Sequence, residues 1–126
     1  MRPRPDPDAL QGPPPIDAFG EGGFRIAGVR HEGGVWILPG AVKPWGASDP
    51  AQLTPEDFAP VFESAERPDI LVLGVGERLK HPPAGVRRAF REAGVGLETM
   101  DTPAACRAYN LLVGEARRIF AALMPV

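Results

Sequence analysis

The residues able to carry chemistry in this sequence are few, and they gather at two places. Gly74-Val75-Gly76 follows the uninterrupted apolar run Ile70-Leu71-Val72-Leu73. Open α/β sheets place their ligands at the C-terminal end of such a strand. Asp101 closes the next apolar segment, near where a dinucleotide-binding fold puts its ribose-binding acid. The spacing is GxGxxL, with Leu79 in place of a third glycine, and Pro82-Pro83 delay the helix that follows. The N-terminus of that helix is therefore not directly under a phosphate. A turn that needs only the open backbone geometry of glycine accounts for the same residues.

The second place is the last quarter of the chain, LETMDTPAACRAYNLLVGEARRIFAAL from Leu97 to Leu123. At 100° per residue, Ala105, Tyr109, Leu112, Ala116, Ile119, Phe120 and Leu123 fall on one face of a helix. Cys106, Asn110 and Arg117 share one edge of that face. A guanidinium there needs a carboxylate or a carbonyl pair. In a structural role, Arg117 would tie the helix to a strand-end acid such as Asp101, and Asn110 would bond a loop backbone. In a functional role, Gly74, Gly76, Asp101, Thr102, Asn110 and Arg117 would line a small pocket for an anionic ligand. Arg117 would then face a cleft floored by Gly74–Gly76 and partly closed by the Lys80–Pro83 loop. Cys106 lies in the first turns of the helix, where a dipole can lower a thiol pKa, but buried inert cysteine is the commoner case. His31 and His81 show no metal-ligand spacing, and neither Ser48 nor Ser64 sits in a nucleophile elbow. No catalytic residue, cofactor or metal is expected.

The elements that must position these residues follow from local pattern. Met1 to Pro15, rich in proline and charge, reads as a disordered or extended arm ahead of one globular domain, 16–126. Phe24-Arg25-Ile26 alternates like a half-buried strand that Val29 to His31 continue. Gly33-Gly34 marks a turn before Val35-Trp36-Ile37-Leu38, which gives an N-terminal hairpin, and Pro39-Gly40 stops its second strand. Val42 to Trp45 adds a short strand. Thr54-Pro55-Glu56-Asp57 starts a helix that Pro60 keeps short or kinked. Ile70–Leu73 is a central strand buried on both faces. Ala84 to Ala93 is a helix ended by Gly94, and Val95 to Met100 is a strand, so the pair frames one βαβ crossover. Thr102 would cap a long C-terminal helix, with Pro103 at its first position, running about 30 Å to Leu123. The class is α/β (α+β) with a mixed β-sheet. Trp36 reads as a core residue, and Trp45 as core or contact patch.

Composition narrows the function. A chain of 126 residues is one domain in length, and 44% apolar residues suffice for a core. Fourteen basic against sixteen acidic residues give a net charge of −2, too neutral for a nucleic-acid binder that relies on phosphate attraction. A single cysteine excludes an internal disulfide and a thiolate zinc cluster, and it suits a reducing compartment such as the cytoplasm. No apolar run reaches membrane-spanning length, so the chain is not membrane-embedded, and the N-terminus lacks the apolar region of a secretory signal.

The residues Gly23-Phe24-Arg25-Ile26, Leu38-Pro39, Trp45, Leu73-Gly74-Val75-Gly76, Met100-Asp101-Thr102, Ala105, Tyr109-Asn110, Leu112, Glu115 and Arg117 together resemble a known family. It is the small domain-of-unknown-function family that includes the mitochondrial complex I assembly factor 3 and an adipogenesis-associated domain-containing protein, with common bacterial members. The resemblance covers about Ile16 to Leu123, and Thr-x-x-Ala-x-x-x-Tyr-Asn-x-Leu-x-x-Glu-x-Arg is its specific part. It implies a three-layer fold of mixed sheet and helices and an uncharacterised or assembly-type role, and the leading expectation is a non-enzymatic domain that binds a protein partner. It implies no catalytic residue. Where the family commonly has Gly-Thr-Gly, this chain has Val75, and a hydroxyl that would serve a ligand is missing.

Overall fold

Ile119-Phe120-Ala121-Ala122-Leu123 is a strand in the middle of a sheet, and this one segment organises the fold. The computed structural model describes residues 13–115 and 117–126. Eight strands run in chain order: β1 (Ile16–Gly20), β2 (Gly23–Ile26), β3 (Val29–Glu32), β4 (Gly34–Leu38), β5 (Ala41–Trp45), β6 (Ile70–Gly74), β7 (Gly96–Met100) and β8 (Ile119–Leu123). Three α-helices accompany them: α1 (Ala59–Phe62), α2 (Ala84–Ala93) and α3 (Thr102–Leu112). Strands β1-β2-β3 form a small antiparallel sheet. The main sheet has the order β5-β4-β8-β6-β7. In it β6 pairs in parallel with both β7 and β8, while β4 is antiparallel to β8 and β5.

The main sheet is covered on both faces, and alternation along each strand decides what covers what. Val35, Ile37, Val72, Ile119, Ala121 and Leu123 face α3 and the small sheet, where Ala105, Cys106, Tyr109, Phe24 and Ile26 close the layer. Trp36, Leu71, Leu73, Phe120 and Ala122 face the other way, against Phe58, Val61, Val86 and Phe90. The protein is a mixed α/β domain of three layers with two βαβ crossovers, the expected β6-α2-β7 and a second, β7-α3-β8, whose helices lie on opposite faces of the sheet. Trp45 belongs to the same core, 9% exposed, with its ring centroid 5.6 Å from that of Trp36 in an edge-on arrangement. It offers no contact patch.

The long C-terminal helix does not form. α3 ends at Leu112, a turn through Gly114 follows, and the chain returns as β8. Ile119, Phe120 and Leu123 fit a helical face, but all five residues of β8 are buried, and they are needed on both faces between β4 and β6. Tertiary pairing overrides the helical pattern.

The N-terminal hairpin is also placed differently. β3 and β4, on either side of Gly33, lie in different sheets. The hairpins are β1–β2, β2–β3 and β4–β5. Ala27 (φ 48°) and Gly28 (φ 80°) both take the left-handed conformation that a two-residue turn requires between β2 and β3. Pro39-Gly40, expected as a stop, is the β4–β5 turn.

The helix expected at Thr54 begins as a 3-10 turn, Pro55–Phe58, and becomes α1 for only four residues. The Asp57 carboxylate accepts the Thr54 backbone N–H at 2.8 Å. Residues 1–12 of the expected arm lie outside the described residues. Its last two, Pro14 and Pro15, are tied to the fold: their carbonyls accept hydrogen bonds from Tyr109 Oη (2.7 Å) and the Ala27 N–H (3.1 Å).

Candidate functional site at the strand ends

The C-terminal ends of β6, β7 and β8 meet the start of α3, and there four of the six expected pocket residues come together. The Thr102 hydroxyl is the joint. It donates to the Met124 carbonyl at 2.7 Å and accepts the Gly76 N–H at 2.9 Å. The Thr102 N–H donates to the Gly76 carbonyl at 2.8 Å, the Val75 N–H to the Met100 carbonyl at 3.0 Å, and the Met124 N–H to the Gly74 carbonyl at 2.9 Å. Thr102 is fully buried. Both glycines are required. A Cβ on Gly74 would lie 2.9 Å from Leu123 Cδ2 and 3.0 Å from Thr102 Oγ1. Gly76 holds φ +99°, a conformation that side chains disfavour.

Thr102 is not the helix cap. Asp101 is, its Oδ1 accepting the Ala104 N–H at 2.8 Å, with Thr102 and Pro103 in the first turn. The physical reason is competition: the Thr102 hydroxyl is already bound to the ends of two strands. The consequence is electrostatic. The positive end of α3 carries a carboxylate of the protein itself, which opposes an anion at that position.

The other two residues lie elsewhere. Asn110 grips β1, its Oδ1 accepting the Ile16 N–H at 2.9 Å and its Nδ2 donating to the Ile16 carbonyl at 2.8 Å. Arg117 is exposed and follows α3 rather than riding on its edge. Arg118, next to it, accepts the Asp69 N–H at the start of β6. The length of β6, at least about 13 Å, therefore separates Arg117 from Gly76. The expected cleft uniting Arg117 with Gly74–Gly76 does not exist.

Cys106 is 2% exposed, and burial pushes its thiol from 9.0 up to about 12, against a weaker opposing pull from Arg107. It is a protonated core residue. Burial likewise raises the Tyr109 phenol, whose hydroxyl is engaged by Pro14. Val75 is buried in the Trp36 cluster, so a hydroxyl at that position would face the core. Among the described residues no group of His, Cys, Asp and Glu is arranged to hold a metal ion.

Open space lies at other places. A groove of about 870 Å³ runs between the β4–β5 hairpin, α1 and the start of β8, with Leu38, Phe120 and Pro60 beside Lys43, Glu63 and Arg118. A second, of about 410 Å³, lies between α2 and β7. The first depends on the placement of β8 and leaves no local pattern in the sequence. The second has a sequence signal, a run of basic residues through α2.

A family model described as "Protein of unknown function (DUF498/DUF598)" matches residues 16–124. The chain belongs to this family. Among family relatives, an uncharacterized protein of Rhodobacter capsulatus is 40% identical over 89% of this chain and 85% of its own length. The NADH dehydrogenase [ubiquinone] 1 alpha subcomplex assembly factor 3 of Bos taurus is 36% identical over 87% of this chain, which spans 60% of that protein's length. The crystal structure of an outer membrane protein from Bartonella henselae matches with a TM-score of 0.83 and 35% identity, over 92% of this chain and 98% of that one. Among the described residues of this chain, no helix is long and apolar enough to cross a membrane.

Proposed function

We propose that this protein is a non-enzymatic, cytoplasmic assembly factor that binds a protein partner during the building of a respiratory or other membrane complex. The observation that carries the reading is the 36% identity, over 87% of this chain, to a protein named as an assembly factor. The geometry supports it. At the strand ends the backbone groups and the Thr102 hydroxyl are bonded to each other, and the lone thiol is buried. No nucleophile with a neighbouring base is left to do covalent chemistry there. The alternative, an enzyme or sensor for a small anionic ligand at Gly74–Gly76, has the glycine turn in its favour and the Asp101 carboxylate against it.

The test is the content of respiratory and other membrane complexes in cells lacking the protein, resolved by native electrophoresis. Loss of one complex, restored by the wild-type chain, is the expected result. Unchanged content of every complex would overturn the assembly role.

A further inference from the structure

The main sheet has two edges; each carries one charge, Lys43 on β5 and Glu98 on β7, but only β5 also carries a proline. β5 carries Lys43 and Pro44, a charge and a residue with no N–H, which discourage pairing with another chain. β7, at the other edge, has no proline. The Gly96 N–H donates to the Asp69 carbonyl and the Met100 carbonyl accepts from Val75, so these even-numbered residues turn their backbone toward β6. Alternation turns the backbone groups of Leu97 and Thr99 outward along the open edge. The side chains of Leu97 and Thr99 line the 410 Å³ groove beneath α2, together with Phe90, His81, Arg87 and Arg91.

The residues that line this groove include Arg87 and Arg91 and no carboxylate, while Glu77, Glu92 and Glu98 stand outside its lining. Residues 78–91 hold Arg78, Lys80, Arg87, Arg88 and Arg91 with no carboxylate, in a chain whose net charge is −2. All five are exposed, and among the described residues none is within salt-bridge distance of an acid. Arg87 and Arg91, one helical turn apart, stand about 6 Å apart along the α2 axis. Alternate residues of an extended strand are about 6.7 Å apart.

We propose that β7 is a docking edge for an extended acidic segment of a protein partner. The segment adds a strand beside β7, pairs its backbone with Leu97 and Thr99, and sets carboxylates at alternate positions against Arg87 and Arg91. This rests on the assembly reading and names the surface that reading needs.

The experiment uses the full chain and the peptide acetyl-Thr-Glu-Val-Glu-Val-Thr-amide. Amide exchange at Leu97 and Thr99 slows about tenfold or more at saturation. Affinity falls about tenfold or more in Arg87→Glu/Arg91→Glu, and falls with added salt. A peptide N-methylated at its central residues, which keeps its charge, binds more weakly by a similar factor and supports strand addition. Unchanged exchange at Leu97 and Thr99 under saturating peptide overturns the proposal. So does equal affinity for a control peptide with lysine at both glutamate positions. Binding of phosphatidylglycerol vesicles through Arg78, Leu79 and Lys80, with no peptide binding, also overturns it and makes the basic face a lipid contact. If the peptide fails while cells lacking the protein still lose a complex, the edge is wrong and the assembly role stands. If the peptide binds and no complex is lost, the edge stands and the assembly role falls.

Discussion

The two ends of the parallel strands β6 and β8 are built in opposite ways. At the C-terminal end, Thr102 draws Gly76 and Met124 together, Asp101 occupies the start of α3, and Gly74 lets that helix sit directly on the sheet. At the N-terminal end, Arg118 is held by exposed partners, the Asp69 carboxylate on its N–H and Glu66 at 3.6 Å, beside an open groove. Open α/β sheets bind ligands at the first of these ends. Here that end is closed by the protein's own hydroxyl and carboxylate. The general rule describes where a ligand fits only when the topology leaves the strand ends apart, and inserting β8 beside β6 brings them together.

This contrast can be broken experimentally. Thr102→Val removes the hydroxyl that serves two groups, and should cost about 3 kcal/mol in urea denaturation, since each buried group left unpaired costs about 1–3 kcal/mol. A loss below about 1 kcal/mol would mean that the end is looser than its bonding. Gly74→Ala forces a methyl against Leu123 and Thr102 and should cost about 2 kcal/mol by the same measurement. An unchanged midpoint would show that α3 can lift from the sheet.

The buried face between these ends is sharpened by pH. The Cys106 thiol titrates higher folded than unfolded, so above pH 9.0 the unfolded chain loses a proton that the native state keeps until about 12. Stability should therefore fall as pH rises through that window, by at most about 1.4 kcal/mol per pH unit for this group. Tyr109 adds to the fall in the same direction at higher pH. Comparing denaturation of Cys106→Ala with wild type between pH 8 and pH 10 checks this, and an equal slope in both would remove the thiol from the account. Last, Arg118→Ala at the open end should change stability by less than about 0.5 kcal/mol, because both charges of its ion pair are well exposed. A larger loss would make that end structural after all.

Much of this was legible in the sequence. The helix Ala84–Ala93 with its Gly94 stop matches the pattern at both ends, because an apolar face and a left-handed cap are local signals. The buried strand Ile70–Leu73 is equally plain. β8 was hidden because Ile119, Phe120 and Leu123 satisfy a helical face as well as a strand, and only the gap between β4 and β6 decides between them. The β2–β3 turn was hidden because Ala27 takes a conformation usually given to glycine or asparagine. At the site, Gly74, Gly76, Asp101 and Thr102 were found together. The Met124 carbonyl that completes them could not be found without β8, and for the same reason Arg117 was placed at the wrong end.

β8 is the middle of the main sheet and the last of its strands in the chain. While the polypeptide is being made, the β4–β5 hairpin and the β6-α2-β7 unit each exist with an open edge, and neither touches the other within the sheet until β8 arrives between them. Their union is then a single long-range event, of the kind that folds slowly and leaves pairing edges bare in the meantime. A chain cut before β8 would present two such edges to its neighbours, and strand β8 decides whether the whole sheet closes or sticks.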